Sequence, residues 1–388
     1  MSGEPLALYV HWPFCVSKCP YCDFNSHVRA SIDQKKWREA LLSDLSHEAK
    51  LLPNRTLSSI FFGGGTPSLM DPAIVEAIIV AANSHWNAAP QIEITLEANP
   101  NSVEAARFAD LAVAGVNRLS LGLQSFDDTA LRFLGRAHSA REGFGALEIA
   151  QKHFRRVSFD LIYALPGDTE EVWSAMLAQA LSLGTRHLSL YQLTIEPGTR
   201  FASMMQKGSL EPIGADAAAA LYELTDAMTS AARMPAYEIS NYARIGQESR
   251  HNLNYWHYGD YAGVGPGAHG RRLGMQSIRH KKPENFLSAL ERNGHGIAEE
   301  MPLLAREAAD EALLMGLRLR EGIDVGAIAK RFGLSSIVDW HRVDRLVGSG
   351  HLTRNGPHIA TTAAGRLLLD HILGEIALSQ PRAYAVAS

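Results

Sequence analysis

The sequence predicts an α/β fold in which parallel β-strands alternate with helices. Six short apolar runs recur along the first half of the chain, separated by longer stretches whose apolar residues repeat at helical spacing. Consecutive βα units place their strands parallel with right-handed crossovers, in either a doubly wound sheet or a barrel. In both arrangements, ligand-binding residues gather where the strands end.

The predicted elements of this first half follow one another in order. The strands are expected at residues 8–11, 59–62, 92–96, 118–121, 157–162 and 187–190. The helices are expected near 33–51, 72–86, 102–114, 127–133, 140–154 and 169–183, with Asp71 and Ser102 as N-caps.

The organisation changes after Pro197. A helix is expected near 215–233, strands and loops over 237–270, and a linker around 294–304. Helices near 306–320, 325–332 and 337–347 then precede a hairpin that turns at Asn355-Gly356 and a final helix from about Thr362. That succession resembles a winged-helix module, so the predicted domains are 1–200, 201–300 and 301–388.

Composition and charge exclude several classes of protein. Charge is nearly balanced, with 37 basic against 41 acidic residues. In the winged-helix-like end, the segment that would read DNA, residues 334–342, is mixed in charge. Nucleic-acid binding is therefore not expected. The first residues lack an apolar export signal, and no run of about 18 apolar residues predicts a membrane span. All three cysteines lie in one loop, which favours thiol chemistry in the reducing cytoplasm over a disulfide framework.

The cysteines, Cys15, Cys19 and Cys22, follow the first predicted strand in a C-x3-C-x2-C pattern. Three thiolates on one tight loop can ligate three irons of an iron–sulfur cube, whose remaining iron then takes an external ligand. This arrangement is typical of radical S-adenosylmethionine (SAM) enzymes. The alternative is a zinc site, but structural zinc takes four Cys or His ligands in two spaced pairs, and only His11 and His27 lie nearby.

Polar residues at or just after other strand ends are candidates for holding SAM. The run Gly63-Gly64-Gly65-Thr66 follows the second strand, and glycines let a backbone approach a ligand closely. The ammonium of SAM requires carbonyls and a carboxylate, its carboxylate an arginine, and its ribose polar side chains. The candidates are Glu97, Gln124, Arg136 and Asp160, each of which, taken alone, is equally consistent with a solvated charge or a loop hydrogen bond.

Six motifs resemble the oxygen-independent coproporphyrinogen III oxidase family of radical SAM proteins. They are the stretches 9–15, 62–68, 97–100, 122–126, 135–138 and 160–167. The resemblance implies a partial (β/α)6 barrel of the TIM type with a winged-helix-like C-terminal domain. It implies that Cys15, Cys19 and Cys22 bind a [4Fe–4S] cluster. It also implies that SAM contacts Tyr9, Gly64, Gly65, Thr66, Glu97, Gln124, Arg136 and Asp160. The chain departs from the family pattern at Trp12, His153 and Ala164, outside these positions.

Three features resemble the haem-chaperone branch of this family rather than its oxidases. The oxidases carry a fourth cysteine, where this chain has Phe24, and a long N-terminal segment, whereas only 14 residues precede Cys15. The stretch 251–256, HNLNYW, matches a motif whose histidine, here His251, is implicated in haem binding. A neutral imidazole is a normal axial ligand of haem iron. From the residues alone, a structural histidine in an aromatic turn is equally consistent.

The resemblance implies a haem chaperone that passes haem to an acceptor such as a respiratory enzyme, with an electron donor serving the cluster. The alternative is an oxygen-independent coproporphyrinogen III oxidase that forms protoporphyrinogen IX, an activity not expected for this chain. A third hypothesis is a zinc-bound interaction module. The sequence leaves open the haem acceptor, the cleavage of SAM, covalent haem attachment and the oligomeric state, for which a dimer is one option.

Overall fold

The computed structural model describes residues 3–378 and is organised around one large β-sheet. Within that span the sheet has 11 strands, which lie side by side in the order β11-β10-β9-β8-β1-β2-β3-β4-β5-β6-β7. In chain order they are β1 Pro5–Trp12, β2 Thr56–Gly64, β3 Asn87–Ala98, β4 Arg118–Gln124, β5 Arg156–Tyr163, β6 His187–Gln192, β7 Asn241–Ala243, β8 Tyr261–Val264, β9 His269–Arg272, β10 Met275–Arg279 and β11 Ile297–Pro302.

Strands β1 to β6 pair in parallel, each with the next along the chain. This is the pairing expected of consecutive βα units, and it confirms the predicted α/β class. Strand β8 pairs in parallel with the other edge of β1, so β1 lies inside the sheet. Strands β9 to β11 continue from β8 in antiparallel pairs, and β7 pairs antiparallel with β6.

Helices connect these strands and cover the apolar face of the sheet. Asp33 and Asp71 begin two of them by accepting backbone N–H hydrogen bonds, as the sequence predicts for Asp71. Asn101, rather than the expected Ser102, caps the third. The helices of this part are α1 Gln34–Leu51, α2 Pro72–His85, α3 Ser102–Ala105, α4 Phe108–Val113, α5 Asp128–Phe133, α6 Ala140–His153, α7 Glu170–Ser182, α8 Arg200–Gln206, α9 Ala215–Ala231, α10 Arg250–Trp256 and α11 Pro283–Asn293.

Each strand of the parallel part presents one apolar and one polar face, because successive side chains point to opposite sides. Leu8 and Val10 on β1 are fully buried in the main hydrophobic core. Tyr9 alternates with them, and Glu97 on β3 and Asp160 on β5 occupy the same face as Tyr9. The interior of the partial barrel is therefore lined with polar groups.

A buried ion cluster fixes the added strands β9 and β10 to α1. The fully buried Arg279 places Nε 2.9 Å from Asp44 Oδ2 and Nη2 2.6 Å from Glu48 Oε1. Arg272 Nε lies 2.7 Å from Glu48 Oε2. Burial by itself would raise the pKa of Glu48, but Arg279 and Arg272 hold it below its ordinary value. The added strands are therefore an integral part of the sheet.

The C-terminal part of the chain forms a smaller unit with a hydrophobic core of its own. Helices followed by an antiparallel hairpin agree with the winged-helix-like prediction. The hairpin turns at Gly356 and Pro357, one residue later than expected, because Asn355 pairs with His358. The unit comprises α12 Ala305–Gly316, β12 Ile323–Asp324, α13 Val325–Arg331, α14 Trp340–Gly348, β13 Leu352–Asn355, β14 His358–Thr361, α15 Ala363–Arg366 and α16 Leu369–Ile376.

The second half departs from the sequence expectations at several places. Helix α10 lies where only strands and loops were expected, and the expected linker 294–304 contains the edge strand β11. Helices α8 and α11 have no predicted counterpart. The domain limits 1–200, 201–300 and 301–388 stay a prediction, and residues 1, 2 and 379–388 lie outside the described part. Among the described helices, none combines the length and apolar character that crossing a membrane requires.

Candidate functional site

The cysteine loop leaves β1 and is tied to the strands added beside β1. The first cysteine lies on a short strand, Phe14–Cys15, that pairs with His27–Val28. Asn25 closes the loop, because its Nδ2 donates to the carbonyl oxygens of Pro266 and Lys281, each at 2.9 Å. The loop is therefore held both by β1 and by the turns that follow β8 and β10.

The glycine run at the end of β2 lies directly against this loop. The Gly65 N–H donates to the Trp12 carbonyl at 2.7 Å, and the Thr66 N–H donates to the Phe14 carbonyl at 2.8 Å. A Cβ at position 65 would lie 2.7 Å from the Phe14 oxygen and 3.0 Å from the Cys15 sulfur. Glycine is therefore required for the close approach of the two segments.

Side-chain hydrogen-bond donors lie beside two of the three thiols, and a backbone N–H donates to the third, Cys22. Thr66 Oγ1 donates to Cys15 Sγ, and Arg136 Nη1 donates to Cys19 Sγ, each at 3.5 Å. Burial raises the pKa of Cys15, and it raises that of Cys22 to about 11. Metal binding must therefore displace protons from these thiols. Donors aimed at the sulfurs suit thiolates that ligate an iron–sulfur cluster.

The thiols do not surround a position for a single ion. Over residues 3–378, no three or more His, Cys, Asp or Glu side chains are grouped so that they could hold one metal ion. A cube of four irons is larger than one ion, so thiolates that ligate three of its irons stand farther apart. Structural zinc takes four ligands, and within residues 3–378 no such set is brought together at the loop.

Four half-buried polar side chains lie on strands of the parallel sheet, and we call the region around them the recess. Tyr9, Glu97, Gln124 and Asp160 keep part of their surface accessible. Desolvation, and after it the neighbouring Asp160, raises the pKa of Glu97 to about 8, while desolvation raises that of Asp160 to about 6. The Gly64 N–H donates to Glu97. Near neutral pH the pair carries about one negative charge, which suits an ammonium or hydroxyl groups.

Two buried polar atoms at this recess, Gln124 Oε1 and Arg136 Nε, have no partner within the described chain. Buried polar atoms usually have a hydrogen-bond partner, so these two are free to pair with groups of a ligand. Gly122 makes room for both side chains, since a Cβ there would lie 3.1 Å from Gln124 Nε2 and 3.2 Å from Arg136 Nη2. An acceptor beside a cationic donor fits a ligand such as SAM, which carries hydroxyl and carboxylate groups.

The residues expected to bind SAM come together around the recess and its border with the cysteine loop. Two of them do not lie at strand ends as expected. Arg136 lies between α5 and α6, and Asp160 lies within β5. The positive charge of Arg136 nevertheless acts on the Asp160 carboxyl and lowers its pKa, against the larger effect of desolvation. Arg136 also donates a hydrogen bond to Cys19 Sγ.

His251 lies deeper in the barrel, on α10, with only 1% of its surface exposed. Its Nδ1 is 2.9 Å from Ser59 Oγ, and its Nε2 is 2.9 Å from Tyr255 Oη. Its ring stacks on Phe61 with centroids 4.9 Å apart. Burial lowers the pKa of His251 to about 3, so the imidazole is neutral. Both ring nitrogens therefore have partners within the protein, and haem coordination by this imidazole requires one of them to be released.

Sequence reasoning did not single out Asn99, which the structure places between Thr66 and Arg136. It likewise passed over Asn25, which closes the cysteine loop. The available signal for Asn99 was its place in the motif 97–100 at the end of β3, two residues after Glu97. The signal for Asn25 was only its nearness to the last cysteine.

Comparisons with known families agree with this geometry. The Radical SAM superfamily profile matches residues 9–180, and the HemN C-terminal domain profile matches residues 303–368. The cysteine loop, the glycine run and the recess all fall within the first match. The fold and the site together define a radical SAM protein.

Similarity to curated proteins extends over most of the chain. The chain is 36% identical to the heme chaperone HemW of Escherichia coli, over 95% of this chain and 97% of that protein. It is 41% identical to the bovine mitochondrial "Radical S-adenosyl methionine domain-containing protein 1", over 83% of this chain and 75% of the bovine protein. The chain belongs to the HemW family of radical SAM proteins.

The fold is also shared with a solved structure. Coproporphyrinogen III oxidase (HemN) from Escherichia coli, a radical SAM enzyme, superposes with a TM-score of 0.80 over 96% of this chain and 89% of that one. The sequences are 22% identical, so the likeness concerns the fold.

Proposed function

We propose that this protein is a haem chaperone that binds haem, transfers it to an acceptor protein and carries a SAM-ligated [4Fe–4S] cluster. The observation that carries the proposal is the 36% identity to the heme chaperone HemW of Escherichia coli over nearly the whole of both chains. That match includes the barrel, the strands added beside β1 and the C-terminal unit. Membership of the radical SAM superfamily supports the cluster and SAM as cofactors.

In this proposal Cys15, Cys19 and Cys22 ligate three irons of the cluster, and SAM ligates the fourth iron. When bound, the cluster supplies an electron for chemistry on SAM. Thr66 and Arg136 then hydrogen-bond two of the thiolates. An electron donor serves the cluster, and the need for a reducing compartment supports a cytoplasmic location.

For SAM we propose contacts with the residues around the recess. Glu97 accepts from the ammonium beside Gly64 and Gly65, and the free Nε of Arg136 pairs with the carboxylate. Gln124, Asp160 and Tyr9 face the ribose side. The accessible polar surface of the recess and its two unpaired atoms support this placement.

For haem we propose His251 as the axial ligand, and the structure sets what this requires. Coordination through Nε2 needs the hydrogen bond to Tyr255 to open, and the buried ring needs to reach a macrocycle. Haem binding on α10 therefore entails a movement of this helix. If α10 does not move, the ligand lies elsewhere and His251 is structural.

The rival function is the oxidation of coproporphyrinogen III to protoporphyrinogen IX. The shared fold with HemN is its support, and Phe24 in place of a fourth cysteine weighs against it. One experiment separates the two functions. Reconstituted protein is incubated anaerobically with SAM and a reductant, in parallel with coproporphyrinogen III and with haem.

We expect haem to be bound and passed to a haem-free acceptor, such as an apo-respiratory enzyme, without turnover of the porphyrinogen. A Cys19→Ala variant separates the cluster from haem binding, since it should lose iron and sulfide. Robust formation of protoporphyrinogen IX by wild type, absent in Cys19→Ala, would reverse the ranking.

A further inference from the structure

We propose that Asn99 is a positioning residue for the cluster, because it holds two side chains, Thr66 and Arg136, that donate to cysteine sulfurs. The inference rests on the proposed [4Fe–4S] cluster and deepens it by naming a residue that contacts none of the three cysteines. Asn99 directly follows β3, at the mouth of the barrel.

One amide group joins the donors of two thiols. Asn99 Nδ2 donates to Thr66 Oγ1 at 3.1 Å, and Asn99 Oδ1 accepts from Arg136 Nη2 at 2.6 Å. Thr66 and Arg136 in turn donate to Cys15 and Cys19. A continuous chain of hydrogen bonds therefore runs from one sulfur to the other through Asn99.

The direction of each bond follows from the chemistry of the amide. Because Thr66 Oγ1 accepts from Asn99, its own proton is left to donate to the Cys15 sulfur. Because Asn99 and the Gly122 carbonyl occupy Arg136 Nη2, the other terminal nitrogen faces Cys19. Asn99 thus orients both donors toward the sulfurs.

A buried carboxylate fixes the orientation of Asn99 itself. Glu104, which is 1% exposed, accepts from the Asn99 backbone N–H at 2.8 Å and from Asn99 Nδ2 at 3.3 Å. With one proton of Nδ2 on Glu104 and the other on Thr66, the amide oxygen must face Arg136. Glu104 also accepts from Ser68 and Asn101, so it ties this network to the start of α3.

Hydrogen bonds to cluster thiolates raise the reduction potential and help retain the metal, because they stabilise the added negative charge of the reduced state. Loss of Asn99 removes one hydrogen bond from each of the two donors at once. We therefore expect Asn99→Ala to bind a cluster with a more negative midpoint potential. Iron should be lost to a chelator more readily, with an apparent affinity lower by about 10- to 100-fold, as for other residues behind metal ligands.

The test compares Asn99→Ala with Asn101→Ala in the full-length reconstituted protein. Asn101 also donates to Glu104 and caps α3, but it contacts neither Thr66 nor Arg136. The readouts are an anaerobic redox titration followed by electron paramagnetic resonance and the rate of iron loss to a chelator. Asn101→Ala should lose stability from its cap and keep the wild-type potential.

Thr66→Val, which is nearly isosteric, provides a second variant where Asn99→Ala fails to fold. It removes the hydroxyl that links Asn99 to Cys15, so its potential should also be more negative. Adding Asn99→Ala should then produce a smaller further shift than it does in wild type. The inference would be overturned if Asn99→Ala and Thr66→Val had the same midpoint potential and the same rate of iron loss as Asn101→Ala. A wild-type protein that assembles no cluster would instead overturn the proposed function.

Discussion

The backbone of Gly65 lies so close to Cys15 that any side chain at position 65 would meet both the sulfur and the neighbouring Phe14 carbonyl. The end of β2 and the cysteine loop therefore form a single packed unit. Changes on the glycine run should act on the cluster even though no glycine ligates iron.

Gly65→Ala should reduce or abolish assembly of the cluster while leaving the secondary structure intact. Its Cβ would displace the loop that carries the three thiols, which lies at the barrel mouth rather than in the core. Iron and sulfide content after anaerobic reconstitution measures the effect. Gly145→Ala on α6 is the matched control, because nothing lies within 4 Å of its Cβ. It should gain about 0.5–1 kcal/mol of stability.

Glu97→Gln should weaken SAM binding by about 10- to 150-fold, the equivalent of one charged hydrogen bond of about 1.5–3 kcal/mol. Desolvation and Asp160 raise the pKa of Glu97 from 4.5 to about 8, so near pH 7 the free protein holds its proton. An ammonium favours the ionised form, so binding of SAM to wild type should release protons. Calorimetry in buffers of different ionisation enthalpy measures that release, which Glu97→Gln should lack and the exposed Glu299→Gln should keep.

The same ionisation affects stability without ligand. The folded protein binds the Glu97 proton more tightly than the unfolded chain does, so the stabilising contribution is complete below pH 4.5. It should be lost as the pH rises to about 8. Urea unfolding at several pH values should therefore show a decline in wild type that Glu97→Gln reduces. An identical pH profile in the two proteins would show that the Glu97 carboxyl is solvated and that its pKa is not raised.

His251→Ala and Tyr255→Phe together decide the role of the HNLNYW motif. If His251 ligates haem, His251→Ala should remove or shift the Soret band, and Tyr255→Phe should strengthen haem binding by freeing Nε2. The iron–sulfur spectrum should persist in both variants. If His251 is structural, both variants should instead lower the melting temperature, by breaking a buried hydrogen bond worth about 1–3 kcal/mol, with an unaltered haem spectrum.

Arg279→Ala should destabilise the protein by about 3–5 kcal/mol. It removes the cation that pairs with the buried Asp44 and Glu48, and only Arg272 then remains beside Glu48. Arg29→Ala is the control, since Arg29 pairs with Glu284 on the surface and should cost about 0–1 kcal/mol. Denaturant unfolding compares the two. Arg279 lowers the pKa of Glu48, so the large loss should shrink at low pH, where Glu48 is protonated in both proteins.

The parallel strands and the cysteine loop could be predicted because their signals are local. Alternating apolar residues such as Leu8 and Val10 mark a strand without any tertiary information. Helix α10 was missed because it is short and its motif is polar and aromatic, with no apolar stripe at helical spacing. Strand β11 was missed because five of its six residues are exposed, so its composition resembles a linker.

The candidate site was predictable residue by residue but not as a network. Glu97 and Arg136 could be named from motifs, whereas the amide of Asn99 between Thr66 and Arg136 depends on how three segments meet in space. The burial of His251 could not be predicted from the sequence either. The same six residues suit a haem-facing turn or a helix whose histidine bonds Ser59, and only the tertiary contact distinguishes them.

The clasp between Asn25 and Lys281 has a consequence for how the protein is made. The cysteines leave the ribosome early, yet the carbonyls that hold their loop belong to Pro266 and Lys281, which are translated much later. Strand β1 likewise has one unpaired edge until β8 has been translated and can pair with it. The nascent loop should therefore stay open until most of the chain has emerged, and iron delivered during synthesis would meet thiols that the clasp does not yet restrain.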